Sequence, residues 1–285
     1  MTARDVVTAD GDRSSYAVMT APAAIHVGVG GWDFEPWRGT FYPPGLARTR
    51  QLEHAARHLT GTEVNATFYK LQKPETWARW AKMVPDGFKF AIKGSRFCTN
   101  RKMLGDAAEA VGRFCAQGFT ELGDKLGPIN WQLAPTKRFD PEEIGAFLGL
   151  LPASRDGIAL RHALEVRHES FRCREFIAAA RAAGIAIVVA DSDDYPQIAD
   201  LTADFVYARL QRSREDEPAG YPPRKLDRWA RIVRSWREGS IPKGLDFVDE
   251  AGAGGKPREV FAFFISGAKV RNPAAAQALL ARLEA

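Results

Sequence analysis

The stretch ALRHALEVRHESFRCREFIAAARAAGIAIVVA, residues 159–190, holds one full beat of the pattern that runs through this chain. Ala159 to Val166 reads as a strand and Arg172 to Ala183 as a helix, with Gly184 where a helix stop is expected. Ile185 to Ala190 then follows as an almost wholly apolar strand. A strand without a polar face needs cover on both sides, which a parallel sheet clothed in helices provides.

Working outward, the same beat recurs on either side. Toward the amino terminus the strands are Pro128 to Leu133, Phe88 to Lys93, Gly61 to Asn65 and Ile25 to Gly30. Their helices are Pro141 to Leu151, Asp106 to Leu122 with Asp106 as a cap, Glu75 to Met83 behind Pro74, and Arg48 to Leu59. Toward the carboxyl terminus, Asp191 to Thr202 contains Pro196 and has room for at most a short helix. Asp204 to Leu210 with Lys225 to Trp236, and Val260 to Ile265 with Pro273 to Leu283, complete eight units. Eight alternating units favour a closed (β/α)8 TIM-type barrel of parallel strands over an open sheet, and its usual size of about 250 residues accommodates the chain as a single α/β domain. The expected layout is a poorly ordered tail over residues 1–22 and the barrel over 23–285, with a loop of mobile composition from Gly239 to Lys256.

Of the 285 residues, 45% are hydrophobic and 26% charged, enough apolar material for a large core and too much for general disorder. Forty Lys and Arg against 35 Asp and Glu leave a formal charge of +5, which favours encounter with anions. Cys98, Cys115 and Cys173 lie too far apart in sequence for a zinc or redox motif and read as idle thiols. The mixed charges of the first 22 residues fit no signal peptide, and no segment is apolar enough to span a bilayer, so the expected location is cytoplasmic with no membrane partner.

Functional groups of such a barrel stand at the carboxyl ends of its strands. Those ends carry Glu63, Asn65, Lys93, Gln132, Glu165, Arg167, His168, Asp191 and Arg209, with Tyr69 in the loop after the second strand. Two or three polar residues would fall at strand ends by chance; nine suggest a lined mouth. Glu63 and Asn65 share one side of their strand, as do Glu165 and Arg167, and Val64 and Val166 between them suit the helix-facing layer. Glu63, Lys93 and Glu165 are the catalytic candidates: the carboxylates as acid or base, the lysine as imine-forming nucleophile, proton donor or anion contact. Asn65, Tyr69, Gln132, Arg167, His168, Asp191 and Arg209 are the ligand-binding candidates, and a purely structural ion network is the competing reading.

The loops after strands seven and eight supply Arg209, Arg212 and Arg214, then Ser266, Gly267 and Lys269, a pairing that suits an anion. Trp32, Phe34, Trp37, Phe41 and Tyr42 in the first loop, with Phe68 and Tyr69 in the second, are expected mainly to pack the mouth. Gly28, Gly30 and Gly31 lack the spacing of a nucleotide fingerprint. His26, His54, His58 and His162 fall away from the strand ends, so a metal would rest on Glu63, Glu165, Asp191 and His168, and a site so poor in imidazole is not favoured. The sequence leaves the cofactor unknown.

The chain also resembles the YecE-like family of unknown function, DUF72. The match runs from about Ile25 to the last helix and is carried above all by Glu63-Val64-Asn65-Ala66-Thr67-Phe68-Tyr69. It continues in Gly31-Trp32, Trp37-Arg38-Gly39, Phe41-Tyr42-Pro43, Gln132-Leu133, Glu165-Val166-Arg167-His168 and Asp204-Phe205-Val206-Tyr207 with Arg209. The resemblance implies a barrel and brings no established reaction. Three places depart from the family pattern: Gln211-Arg212 stands for its His-Gly, Phe264-Ile265-Ser266 for its Phe-Asn-Asn, and Ala134 for its proline. The leading functional expectation is an enzyme, a hydrolase or lyase, acting on a small anionic ligand bearing phosphate or carboxylate. A nucleic-acid binding or processing protein and a degenerate scaffold without catalysis are the alternatives. Oligomeric state is not legible.

Overall fold

The structure, a computed structural model, describes residues 23–249 and 254–284, so the expected tail over 1–22 lies outside the described residues. In chain order the strands are β1 (Ile25–Gly30), β2 (Gly61–Val64), β3 (Lys89–Lys93), β4 (Leu126–Gln132), β5 (Ser154–Arg155), β6 (Ile158–Ala159), β7 (His162–Glu165), β8 (Ala186–Ile187), β9 (Val189–Asp191), β10 (Phe205–Leu210) and β11 (Glu259–Phe264). The helices are α1 (Gln51–His58), α2 (Pro74–Met83), α3 (Arg96–Thr99), α4 (Ala108–Cys115), α5 (Pro141–Gly149), α6 (Arg174–Ala182), α7 (Pro223–Glu238) and α8 (Asn272–Glu284).

Nine parallel segments form one sheet in the order β8-β7-β4-β3-β2-β1-β11-β10-β9. The two ends of that order, β8 and β9, are separated in sequence only by Val188, so the sheet returns on itself and the barrel nearly closes. The expected sixth strand is thus one strand broken in two: Ala186 and Ile187 pair with β7, whereas Val189 to Asp191 pair with β10. No helix follows it before β10, in keeping with Pro196. Instead the connection is tied down from the long loop after α7, where the buried Asp200 carboxylate accepts from the backbone N–H of Val248 (2.8 Å) and Asp249 (2.6 Å). At least this part of the Gly239 to Lys256 loop, expected to be mobile, is therefore pinned.

Three expected boundaries shift for local reasons. The fifth barrel strand begins at His162 and not Ala159, because Ile158 and Ala159 turn back on Ser154 and Arg155. Asp156 (φ 48°) and Gly157 (φ 78°) supply the two left-handed residues such a two-residue hairpin needs. The helix expected over Asp106 to Leu122 begins as a 3-10 turn, runs as α4 and ends by Gly118, whose φ of 85° cannot continue it. Arg48 to Arg50 likewise form a 3-10 turn ahead of α1.

Side-chain alternation divides the core into layers. Val260, Ala262 and Phe264 of β11 pack outward toward the helices, while Phe261, Phe263 and Ile265 fill the barrel. Inside, Phe205, Tyr207, Phe261 and Phe263 face the small Ala91, Ala163 and Ala186, so large side chains on one wall interdigitate with small ones on the other. Strand spacing is equally tight: a Cβ added at Gly28 would sit 1.8 Å from the Gly61 carbonyl oxygen on β2. At the amino end of the barrel, His26 bonds Glu259 (2.8 Å), which also pairs with Arg161, so this histidine lies opposite the mouth. Among the described residues no helix is long and apolar enough to cross a membrane.

Candidate functional site

Because Val64, Leu164 and Val166 point into the helix layer, strand alternation turns Glu63 and Glu165 into the barrel, where both are completely buried. Arg209, two residues beyond Tyr207 on β10, enters the same space and is 2% exposed. Its guanidinium bridges the two carboxylates, pairing with Glu63 Oε1 at 3.0 Å and with Glu165 Oε2. Tyr207 donates its hydroxyl to Glu63 Oε2 (2.6 Å), and Asn130 Nδ2 reaches both acids, at 3.3 Å to Glu63 and 3.4 Å to Glu165. Above them Arg167 donates to Glu165 Oε1 through Nε (2.8 Å) and to Gln132 Oε1 (2.8 Å), with its guanidinium stacked 4.3 Å from the Tyr195 ring centre. All four carboxylate oxygens are therefore engaged.

This arrangement engages both candidate carboxylates, Glu63 and Glu165, with a shared guanidinium and with further donors. Burial alone would raise the Glu165 carboxyl, but Arg209, Arg167 and Lys93 outweigh it and hold the group at about 2. Glu165 is thereby held ionised, paired with both Arg209 and Arg167. Neither glutamate is among the residues that line the adjoining cavity. Burial lowers Arg209, yet its two carboxylates win and raise it further above the ordinary arginine range. Tyr207 is pushed well up by burial and by Glu63, so its phenol remains a donor.

Lys93 has the opposite character. Its Nζ lies 4.7 Å from the centre of the Phe68 ring and makes no hydrogen bond or ion pair among the described residues. Burial first, then Arg209, push the ammonium down from 10.5 to about 8 against the pull of Glu63 and Glu165. The cavity above, of about 430 Å³, is lined by Asn65, Tyr69, Lys93, Gln132, Arg167 and Arg209, together with Phe68, Ile265, Ser266, Lys269 and Asn272. Gly30 completes the wall: a Cβ there would stand 2.6 Å from Asn65 Nδ2 and 2.8 Å from Ile265 Cδ1, so only glycine leaves the asparagine in place. Tyr69 stands 65% exposed at the rim. Ile265 and Ser266, two of the positions that depart from the family pattern, both face this cavity.

Two candidates lie elsewhere. His168 caps the 3-10 turn Glu169–Phe171, its Nδ1 accepting from the Ser170 N–H at 3.1 Å, and its Nε2 faces Arg138. Asp191 follows the outward parity of Val189 and leaves the barrel interior for a neighbouring cavity of about 400 Å³. There Tyr221 (3.1 Å), Trp229 (3.2 Å) and Arg212 (3.3 Å) surround it, and burial raises its carboxyl despite them. Arg212 pairs with Asp191 and Asp193, and Arg214 with Asp216, so neither joins Lys269 in an anion site at the mouth. Sequence reasoning missed Asn130, Tyr207 and Tyr195. The first two sit two residues before Gln132 and Arg209, a period-two signal that could have found them.

The mouth aromatics mainly pack, as their sequence suggests. Trp37 is buried and donates to the Lys269 carbonyl (2.9 Å), Tyr42 donates to the Trp32 carbonyl (2.5 Å), and Trp32 meets Trp80 edge-on at 4.8 Å. Cys98 and Cys115 are buried thiols pushed up to about 12 and about 11 by desolvation. Among the described residues no three His, Cys, Asp or Glu side chains converge as metal ligands would.

These observations define a parallel β/α barrel protein whose mouth is floored by a buried ion network and carries Lys93 and Lys269, neither ammonium of which has a hydrogen bond or ion pair among the described residues. The chain belongs to the family described as Protein of unknown function DUF72, whose model matches residues 26–285. It is 31% identical over 150 residues to the UPF0759 protein YecE of Escherichia coli (strain K12), covering 52% of this chain and 50% of that one. To the UPF0759 protein YunF of Bacillus subtilis (strain 168) it is 28% identical over 78 residues, 27% of each chain. The chain thus aligns with about half the length, or less, of these curated relatives. Among solved structures, a DUF72 family protein from Thermotoga maritima MSB8 superposes with a TM-score of 0.66 at 20% identity, over 90% of this chain and 97% of that one. A DUF72 family protein from Enterococcus faecalis V583 gives 0.66 at 14% identity, over 92% and 96%. At those identities the likeness is one of fold.

Proposed function

We propose that the mouth cavity binds a small anion bearing a carboxylate or phosphate. The carrying observation is a charge imbalance. Arg209, Arg167 and Lys93 stand against only Glu63 and Glu165, both acids are already engaged within the network, and half-buried Lys269 adds a fourth cation at the rim. An excess of partly buried positive charge around a cavity focuses field on whatever anion enters, and in a medium poorer than water each contact counts for more. Asn65 and Gln132 offer amide donors beside the cations, Gln132 because its oxygen is already taken by Arg167 and Arg209. A cavity of about 430 Å³ suits a small molecule better than a polymer, which favours this reading over nucleic-acid binding. Chemistry at the site then falls to Lys93 in place of the glutamates.

Isothermal titration with inorganic phosphate and with malonate tests the proposal. Saturable binding of at least one is expected, weakened about tenfold or more in Lys93→Met and in Lys269→Met, each of which removes one charge-assisted contact. Equal binding by both variants and the parent, or no saturable binding of either anion, would overturn it.

A further inference from the structure

We propose that Lys93 forms an imine with the carbonyl carbon of a small 2-oxo acid, whose carboxylate is held by Arg167 and Arg209. The inference rests on the anion-site reading and deepens it by naming the ligand class. Three features of the geometry support it.

First, an imine needs an amine with a free lone pair. Lys93 Nζ, resting over Phe68, has neither a hydrogen bond nor an ion pair among the described residues, though two glutamates share its end of the barrel. Arg209 has taken both, so the cluster leaves the lysine unpaired. Second, the guanidiniums and Lys93 line one cavity, so a ligand anchored by its carboxylate presents the adjoining carbonyl to the amine. Third, the groups that face the amine disfavour its charged form. Burial and Arg209 together outweigh Glu63 and Glu165, Arg167 adds to the repulsion, and the ammonium falls to about 8. At pH 7 an amine of that strength is neutral about 300 times more often than a lysine at 10.5.

The step balances without a redox partner. The neutral Lys93 nitrogen donates its lone pair to the carbonyl carbon, the carbonyl oxygen takes up a proton, and a carbinolamine results. Loss of that oxygen as water, with protons exchanged through solvent at the open mouth, leaves the imine.

Pyruvate with sodium cyanoborohydride, followed by peptide mapping by mass spectrometry, provides the test. Expected is a carboxyethyl adduct concentrated on Lys93, absent from Lys93→Arg and Lys93→Met, with those variants retaining the circular dichroism of the parent. Its rate should rise about tenfold per pH unit up to pH 7 and level near pH 8, where surface lysines keep accelerating. Lactate, which carries the acid but no carbonyl, should bind by calorimetry and suppress the adduct. No adduct, or one spread evenly over surface lysines, overturns the imine, and if lactate still binds, the anion site survives. Absence of both adduct and lactate binding overturns both.

Discussion

Replacing Lys93 by methionine is expected to stabilise the protein at pH 7 and to lose that advantage as the pH rises. The parent lysine titrates at about 8 when folded against 10.5 when unfolded, so between those values the unfolded chain holds a proton that the folded chain has released. Stability of the parent therefore increases with pH across this window. Below pH 8 both states are protonated and the full penalty of the buried ammonium applies. At 1.36 kcal/mol per pH unit that penalty is about 3 kcal/mol at pH 7, falling to about 2 at pH 9 and about 1 at pH 10. Methionine keeps the unbranched stem over Phe68 and carries no charge, so it escapes the penalty at every pH. Urea unfolding of both proteins from pH 7 to pH 10, read by tryptophan fluorescence, gives the difference directly. The packing change between the two side chains adds a constant, and the slope with pH is diagnostic. A difference independent of pH, or a parent that outlasts the variant by more at pH 7 than at pH 10, would refute a desolvated, unpaired Lys93.

Glu165→Gln should destabilise by about 3–5 kcal/mol in urea, because it strips one of the two acids that balance buried Arg209. Asp191→Asn should stay within about 1 kcal/mol, since burial already disfavours that carboxylate, its partner Arg212 is half-exposed, and the amide oxygen can still accept from Tyr221 and Trp229. Equal losses in the two variants would contradict the separate environments. Gly28→Ala should cost about 3 kcal/mol or more, as its Cβ would press on the Gly61 carbonyl oxygen at 1.8 Å and force β1 and β2 apart. An unchanged melting temperature would sink that account.

The eight-unit rhythm was legible because glycine and proline punctuation and apolar runs are local properties of sequence. What escaped depends on partners distant in the chain. The break at Val188 arises where one strand changes neighbours from β7 to β10, and nothing in Ile185 to Ala190 marks the exchange. The same uniform apolarity hid the parity of Asp191. Glu63 and Glu165 have flanking residues that declare which side faces the helices, whereas Val188, Val189 and Ala190 look alike, and only the structure shows Val188 inward and Val189 outward. His168, one residue past Arg167, falls on the opposite side from Glu165 by the same alternation. The hairpin that shortened β7 was available from Asp156-Gly157, a turn pair of the kind two-residue hairpins favour.

A purely structural ion network and a binding site make different demands on charge. In the first, every buried ion is matched, since an unmatched one costs free energy with no return. Here Arg209 is matched twice and Arg167 shares Glu165 with it, whereas Lys93 has no ion pair among the described residues, and the pull of Glu63 and Glu165 does not offset its burial and Arg209. Methionine at 93 is expected to relieve the penalty of that buried charge and leave the Arg209 bridge in place, as the urea experiment tests, whereas a binding site gives the charge a use. Glu63 and Glu165 hold Arg209 between them, and Glu165 also pairs with Arg167, which reaches Gln132 and Tyr195. Lys93 lines the cavity together with Arg167 and Arg209, and there an incoming anion can supply the missing charge.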